Sequence, residues 1–233
     1  MLGRRLSGSL GVDMQIEPQI VRKGGLGSAM AGGNPTIARS KDDFYATPHE
    51  VTQALLQTET FTGRIWEPFG GDGAIVKVLK RAGYKDVVAS DINPRAEGIA
   101  KRSVFDVKTP VAHCIISNPP FQLADGKDVA DVIEHLLSLR PRKLALMLKS
   151  TFWHAKGRAA LFERTKPAAI YPLLWRPDFL GLGRPTMEVM WCVWKWGNAE
   201  YPIYRPLLKP APAPRETLMT PAETRAIESL SQQ

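Results

Sequence analysis

Short apolar runs alternate with amphipathic segments along the central part of the chain, and this alternation narrows the fold more than any other feature. Strand-like runs lie at Arg64–Glu67, Val87–Ile92 (expected to be buried), His113–Ser117, Leu144–Leu148, Ala168–Trp175 and Met187–Trp196. Helical patterning falls between them, at Val51–Leu56, Ala74–Ala82, Pro94–Lys101, Asp128–Leu139 and Lys156–Arg164. In Asp128–Leu139 the residues Val129, Val132, Ile133, Leu136 and Leu137 share one face. Thr47-Pro48 reads as an N-cap followed by proline at the first helical position. Such alternation predicts an α/β fold, a doubly wound and mostly parallel sheet of about seven strands with helices on both faces. Ligands of such sheets bind beyond the carboxyl ends of the strands. The chemistry is therefore expected just after Glu67, Ile92 and Ser117.

Hydrophobic residues make up 44% of the 233, enough for a real core, which excludes wholesale disorder. No apolar run approaches the about 18 residues of a membrane span, and no apolar stretch of a secretory signal follows Arg4 and Arg5. A cytoplasmic protein is the expectation. Cys114 and Cys192 stand far apart in apolar runs and read as core thiols, and the histidines show no ligand spacing, so no metal is expected. The formal net charge is +8, which favours polyanionic partners without identifying one. Three regions are expected: a flexible basic tail over 1–41, a catalytic domain over 42–200, and a Pro-rich extension over 201–233 with a short helix at Pro221–Leu230.

Two motifs carry the chemistry. In Glu67-Pro68-Phe69-Gly70-Gly71-Asp72-Gly73, glycines at a strand-to-helix turn permit positive φ and a close ligand approach. A dinucleotide fingerprint needs Gly or Ala three residues after Gly73, where Val76 stands, so a nucleoside cofactor without a pyrophosphate is favoured. Asp91, at the end of the next strand, can bind both hydroxyls of a ribose. The second motif, Ser117-Asn118-Pro119-Pro120-Phe121, ends an apolar strand with two residues that cannot donate to a ladder. The Asn118 side chain and the Pro119 carbonyl then offer two acceptors for the hydrogens of an exocyclic amine, which favours a more nucleophilic nitrogen. Phe121 offers a flat face to an unstacked base.

These residues resemble class I S-adenosylmethionine-dependent methyltransferases, and among them the DNA adenine-N6 enzymes of the solitary, phage-like type. Glu67-Pro68-x-x-Gly71-x-Gly73 is similar to their motif I around the methionine part of the cofactor. Asp91 matches the ribose acid of motif II, beside Ile92, and Asp106 the adenine-facing acid of motif III. Asn118-Pro119-Pro120-Phe121 matches motif IV, and Asp43-Phe44-Tyr45-Ala46-Thr47-Pro48 resembles motif X, whose Thr-Pro contacts the cofactor's carboxylate region. The resemblance implies a Rossmann-like sheet, S-adenosylmethionine as cofactor, and cofactor contacts from Tyr45, Thr47, Pro48, Glu67, Pro68, Phe69, Gly71, Gly73, Asp91, Ile92, Asp106 and Asn118. It implies methyl transfer to an amine held by Asn118 and Pro119, with Phe121 stacked on the base. The same motif IV also fits enzymes acting on RNA guanine N2 or on a protein glutamine amide, and a nucleic-acid-binding module with a vestigial pocket is a further alternative. DNA is the expected partner, met by Lys149, Lys156, Arg158, Arg176 and Arg184 on loops that also carry Phe152, Trp153 and Phe179. For Phe152 and Trp153 core packing is an equal alternative. Trp191, Trp194 and Trp196, at strand spacing, are expected in the core.

Overall fold

The computed structural model describes residues 45–121, 123, 126–198 and 200–212. The basic segment 1–41, Asp43 and Phe44 of the Thr-Pro motif, and the helix expected at Pro221–Leu230 lie outside the described residues. Along the chain run α1 (His49–Leu56), β1 (Ile65–Glu67), α2 (Ala74–Arg81), β2 (Val87–Asp91), β3 (Ala100–Lys101), β4 (Cys114–Ser117), α3 (Val129–Ser138), β5 (Lys143–Lys149), α4 (Ala159–Thr165), β6 (Ala169–Pro172), β7 (Val189–Lys195) and β8 (Ile203–Tyr204). The eight strands form one sheet in the order β3-β2-β1-β4-β5-β7-β6-β8. The strands from β3 to β5 pair in parallel, whereas β7 runs antiparallel between β5 and β6. The expected doubly wound sheet is present, with one strand more. Two strands lie outside the expected runs: β3, and β8, which belongs to the Pro-rich extension and pairs in parallel with β6.

Alternate residues of the central strands feed opposite cores, which is why these strands read as unbroken apolar runs. Leu144, Leu146, Leu148, Cys192 and Trp194 pack against Val132, Ile133 and Leu136 of α3 and Leu161 of α4. On the other face Ala145, Met147, Trp191 and Val193 meet Val51 and Leu55 of α1 and Ile75 and Leu79 of α2. Trp191 and Trp194 are core residues as expected, but Trp196 is 60% exposed, with the Arg140 guanidinium over its ring. Cys114 and Cys192 are free and buried, and burial pushes the Cys192 thiol up to about 12. Among the described residues no helix is long and apolar enough to cross a membrane.

Four local expectations are corrected. Pro94–Lys101 is not a helix: Gly98 takes φ +79, the Arg95 N–H donates to the Gly71 carbonyl at 2.9 Å, and the segment ends in β3. Proline at its head would suit a helix, but the left-handed Gly98 and the Arg95 bond to Gly71 take the backbone out of the helical path. The strand β2 is not fully buried: Val88 is 38% exposed, because β3 pairs only with Ser90 and Asp91 and leaves the start of β2 without a neighbour on that side. Thr47 does not cap α1: Pro48 is the N-cap, with no side-chain cap bond. The segment read as one helix at Lys156–Arg164 begins as a 3₁₀ turn and becomes α-helical only at Ala159.

At the edge of the sheet where β5 starts, Glu59 is 5% exposed. It accepts from Lys143 Nζ at 2.6 Å and from the Tyr171 hydroxyl at 2.7 Å, with Lys195 Nζ 3.4 Å away. Burial raises its carboxyl, but the bonds from Lys143 and Tyr171 and the charges of Lys143 and Lys195 outweigh it and hold the group below its ordinary value of 4.5. A depressed carboxylate stabilises the fold above its unfolded-state value, and this stability is lost as the pH falls through the folded-state value. Glu59→Gln is expected to lower stability at neutral pH by about 2 kcal/mol, because the half-buried Lys143 ammonium keeps its bond to the Thr60 carbonyl but loses its counter-charge. Urea unfolding should show that difference at about pH 7 and its shrinkage below about pH 4.

Candidate active site

The carboxyl ends of β1, β2 and β4 meet where the strand order reverses about β1, the position at which open α/β sheets form crevices. A cavity of about 660 Å³ opens there, a size typical of small-molecule sites. Beyond β1 the chain turns through Gly71 and Gly73, at φ +49 and +77, before α2 starts. Only glycine takes this path without strain. Gly70 has a different reason: a Cβ there would come within 3.2 Å of Ile99 and Ala89 side-chain atoms.

Asp91 ties this turn to β2. Its Oδ2 accepts from the Gly71 N–H at 2.9 Å and its Oδ1 from the Asn93 N–H at 2.7 Å. Both bonds orient the carboxylate and leave lone pairs for a ligand in the cavity it lines. Glu67, 2% exposed at the end of β1, also lines the cavity, and its Oε2 has no hydrogen-bond partner. Burial pushes this carboxyl well above the usual range; a bond from the Val76 backbone pulls it down, and the Asp72 and Asp91 charges push it up again. A buried carboxyl oxygen that lacks a partner is costly in the empty protein and suits a ligand that brings hydrogen-bond donors or positive charge.

Asn118 follows β4. Its Nδ2 donates to Thr47 Oγ1 at 3.1 Å, across 71 residues of sequence. Thr47, freed from capping α1 by Pro48, thus brings the segment before α1 onto the Asn-Pro-Pro-Phe turn. Phe121 completes the turn, with Lys149 Nζ 4.8 Å above its ring. Across the cavity Phe105 lies against His135 and under Lys127 Nζ, at 4.7 Å.

The structure brings Tyr45, Thr47, Glu67, Pro68, Phe69, Asp91, Ile92, Asp106, Asn118, Pro119, Pro120 and Phe121 to one cavity wall. Pro48, Gly71 and Gly73 shape that wall without lining it. None of Lys149, Lys156, Arg158, Arg176 and Arg184 lines the cavity. Arg158 donates to the Phe152 carbonyl at 2.7 Å and lies over the Phe152 ring, and Arg176 pairs with Glu188 at 2.6 Å. Lys156 and Arg184 are exposed. Phe152 is buried and the Trp153 indole donates to Cys192 Sγ, so these two aromatics belong to the core. Sequence reasoning missed Asp72, Asn93, Arg95, Phe105, Lys127 and Met187 as lining residues. Phe105 and Asp72 stand beside motif residues, which is their signal; Met187 comes from a distant loop and has none. Among the described residues no group of three or more His, Cys, Asp or Glu side chains could hold a metal.

No protein-family model and no curated protein matches the chain. Solved structures do. A candidate class I S-adenosylmethionine-dependent methyltransferase from Listeria monocytogenes aligns at 15% identity and a TM-score of 0.50, over 82% of this chain and 72% of that one. The M protein of the type I restriction enzyme EcoKI aligns at 12% identity and 0.51, over 82% and 54%. A chain of a type I restriction–modification system aligns at 13% and 0.50, over 88% and 53%. The chain thus spans about half the length of the two restriction–modification proteins. At these identities the likeness shows the fold, the Rossmann-like sheet of class I methyltransferases.

A carboxyl raised on folding holds a proton that the unfolded chain has released, so stability falls as the pH rises above the ordinary value of 4.5. Glu67→Gln removes that dependence while keeping the shape. Without ligand, the variant is expected to match the wild type at about pH 4 and to exceed it by about 1–2 kcal/mol at about pH 8. Thermal unfolding across that range checks the sign.

Proposed function

We propose that the chain transfers a methyl group from S-adenosylmethionine to the exocyclic N6 amine of adenine in DNA. The observation that carries this reading is the Thr47–Asn118 bond, which joins the Asn-Pro-Pro-Phe turn to a cavity that also holds Glu67 and Asp91. The residues fit the cofactor. The unpartnered Oε2 of Glu67 is compensated by a ligand that is cationic or brings donors. Asp91, already oriented by two backbone amides, accepts from ribose hydroxyls. Phe105 and Asp106 form the wall suited to a purine, through a flat apolar face and an acceptor for its amine. Bound S-adenosylmethionine supplies an activated methyl group carried on a positively charged sulfur.

The chain's own residues do the rest. Asn118 and Pro119 accept the two hydrogens of the target amine and hold its lone pair towards the methyl donor, which converts an encounter into an oriented attack. Phe121 stacks on the base once it leaves the helix, and Lys149 leaves the face of that ring to make room. Asn118 neutralises nothing and removes no proton; the methylated amine is acidic enough to lose its proton to solvent. Lys149 at the end of β5, with Lys156, Arg158, Arg176 and Arg184 on the segments after β5 and β6, would meet the phosphate backbone beside the cavity. Support for DNA comes from Tyr45 and Thr47 of the Thr-Pro motif lining the cavity, from the charge of +8, and from the fold shared with the EcoKI M protein.

The test is methyl transfer from labelled S-adenosylmethionine to unmethylated DNA and to RNA, with products digested to nucleosides for mass analysis. N6-methyladenine in DNA is expected, reduced about 100- to 1,000-fold in Asn118→Ala. Methylguanine in RNA would move the substrate to the alternative amine. Cofactor binding without transfer to either would point to a protein amide, and no binding at all would overturn the enzymatic reading.

A further inference from the structure

Thr47 is buried at 7% exposure and lines the cavity, and its hydroxyl is used on one side only. Oγ1 accepts from Asn118 Nδ2 at 3.1 Å. A threonine hydroxyl also carries one proton to donate, and among the described residues no acceptor takes it. The side chain therefore sits between Asn118 and the cavity with a donor to spare.

An asparagine amide has two unlike ends. Only the Oδ1 end accepts from an amine; turned over, Asn118 would present its own N–H groups to the target's hydrogens and repel them. A lone hydroxyl does not by itself forbid the turned form, because it can donate to Oδ1 as readily as accept from Nδ2. The choice is made once the hydroxyl proton is committed elsewhere. With an acceptor in the cavity taking that proton, Oγ1 has only lone pairs left for Asn118, and the amide must offer Nδ2 to Thr47 and Oδ1 to the other side.

We propose that Thr47 is a positioning residue that couples the two halves of the site: an acceptor group on the bound cofactor takes its proton and thereby locks Asn118 in the orientation that receives an amine. This rests on the methyl-transfer reading and deepens it. Thr47 precedes α1 and Asn118 follows β4, so each side chain can be substituted without changing the other's element. Binding of the methyl donor then fixes the Asn118 orientation seen in the Thr47 bond, whereas without it the turned amide competes.

The experiment uses nitrogen-labelled full-length protein and follows the Asn118 side-chain amide, identified by its loss in Asn118→Ala, with S-adenosylhomocysteine as the probe. In the wild type that amide is expected to shift and to exchange with solvent about 10-fold more slowly on saturation. In Thr47→Val, which keeps the shape and loses the hydroxyl, the response should vanish, and Thr47→Ser should restore it. In the transfer assay Thr47→Val should lower kcat about 10- to 100-fold with KM for nucleic acid within about threefold, again restored by serine. Thermal unfolding confirms that the valine variant is folded. A wild-type amide indifferent to the probe, or a valine variant with wild-type amide response and kcat, overturns the coupling. A wild type that binds the probe, shows the amide response and transfers no methyl group overturns the adenine reading while leaving the coupling in place.

Discussion

Near the middle of β7 the indole of Trp191 donates to the Val51 carbonyl at 3.0 Å, with both groups buried. This bond sets where α1 lies on the sheet. The helix is short and its first turn lacks a side-chain cap, so its own backbone does little to fix its height or rotation. Apolar contacts through Val51, Ala54 and Leu55 hold it against the sheet, but such contacts are not directional. A buried donor with one acceptor is directional, and leaving it unmade is costly. Tyr45 and Thr47 shortly precede the helix, so the geometry of the cavity follows from an indole in a strand far along the sequence.

The fold was legible because the central strands serve two cores, which writes unbroken apolar runs separated by helical periods. The site was legible to the extent that its residues follow strand ends: Glu67, Asp91 and Asn118 each stand at or just past the end of a parallel strand, and the sheet brings those ends together. Other parts were not legible for physical reasons. Thr47 has the look of a helix cap because Thr-Pro is a common start, and only the packing of α1 turns its hydroxyl to Asn118. Pro94–Lys101 carries a helical pattern, but its Gly98 adopts a left-handed turn and Ile99 is taken up against Gly70. Met187 reaches the cavity through a connection whose path no local spacing encodes.

Acidic side chains outnumber basic ones in the lining of the cavity, where only Arg95 and Lys127 are basic among the described residues. The wall of the cavity gathers Glu67, Asp72, Asp91 and Asp106, although the chain as a whole is basic. Lys156, Arg176 and Arg184 stand outside it. The four acidic side chains suit a ligand that is cationic or brings hydrogen-bond donors. Lys127, which lines the cavity, and Lys149, which does not, each stand over an aromatic ring of it.

The reversal of β7 has a consequence for how such a protein can diversify. Because β7 runs antiparallel to β5 and β6, the connection from Pro172 to Val189 lies at the same edge as the ends of β1, β2 and β4. A hairpin connection can lengthen without shifting the register of the strands it joins, since loop closure costs grow only slowly with length. Within it Leu173, Trp175, Phe179 and Met187 pack against one core, and Phe179 and Met187 line the cavity. Length can therefore vary only at its exposed tip, residues 180–184, beside the cavity, while the sheet and its two cores stay as they are.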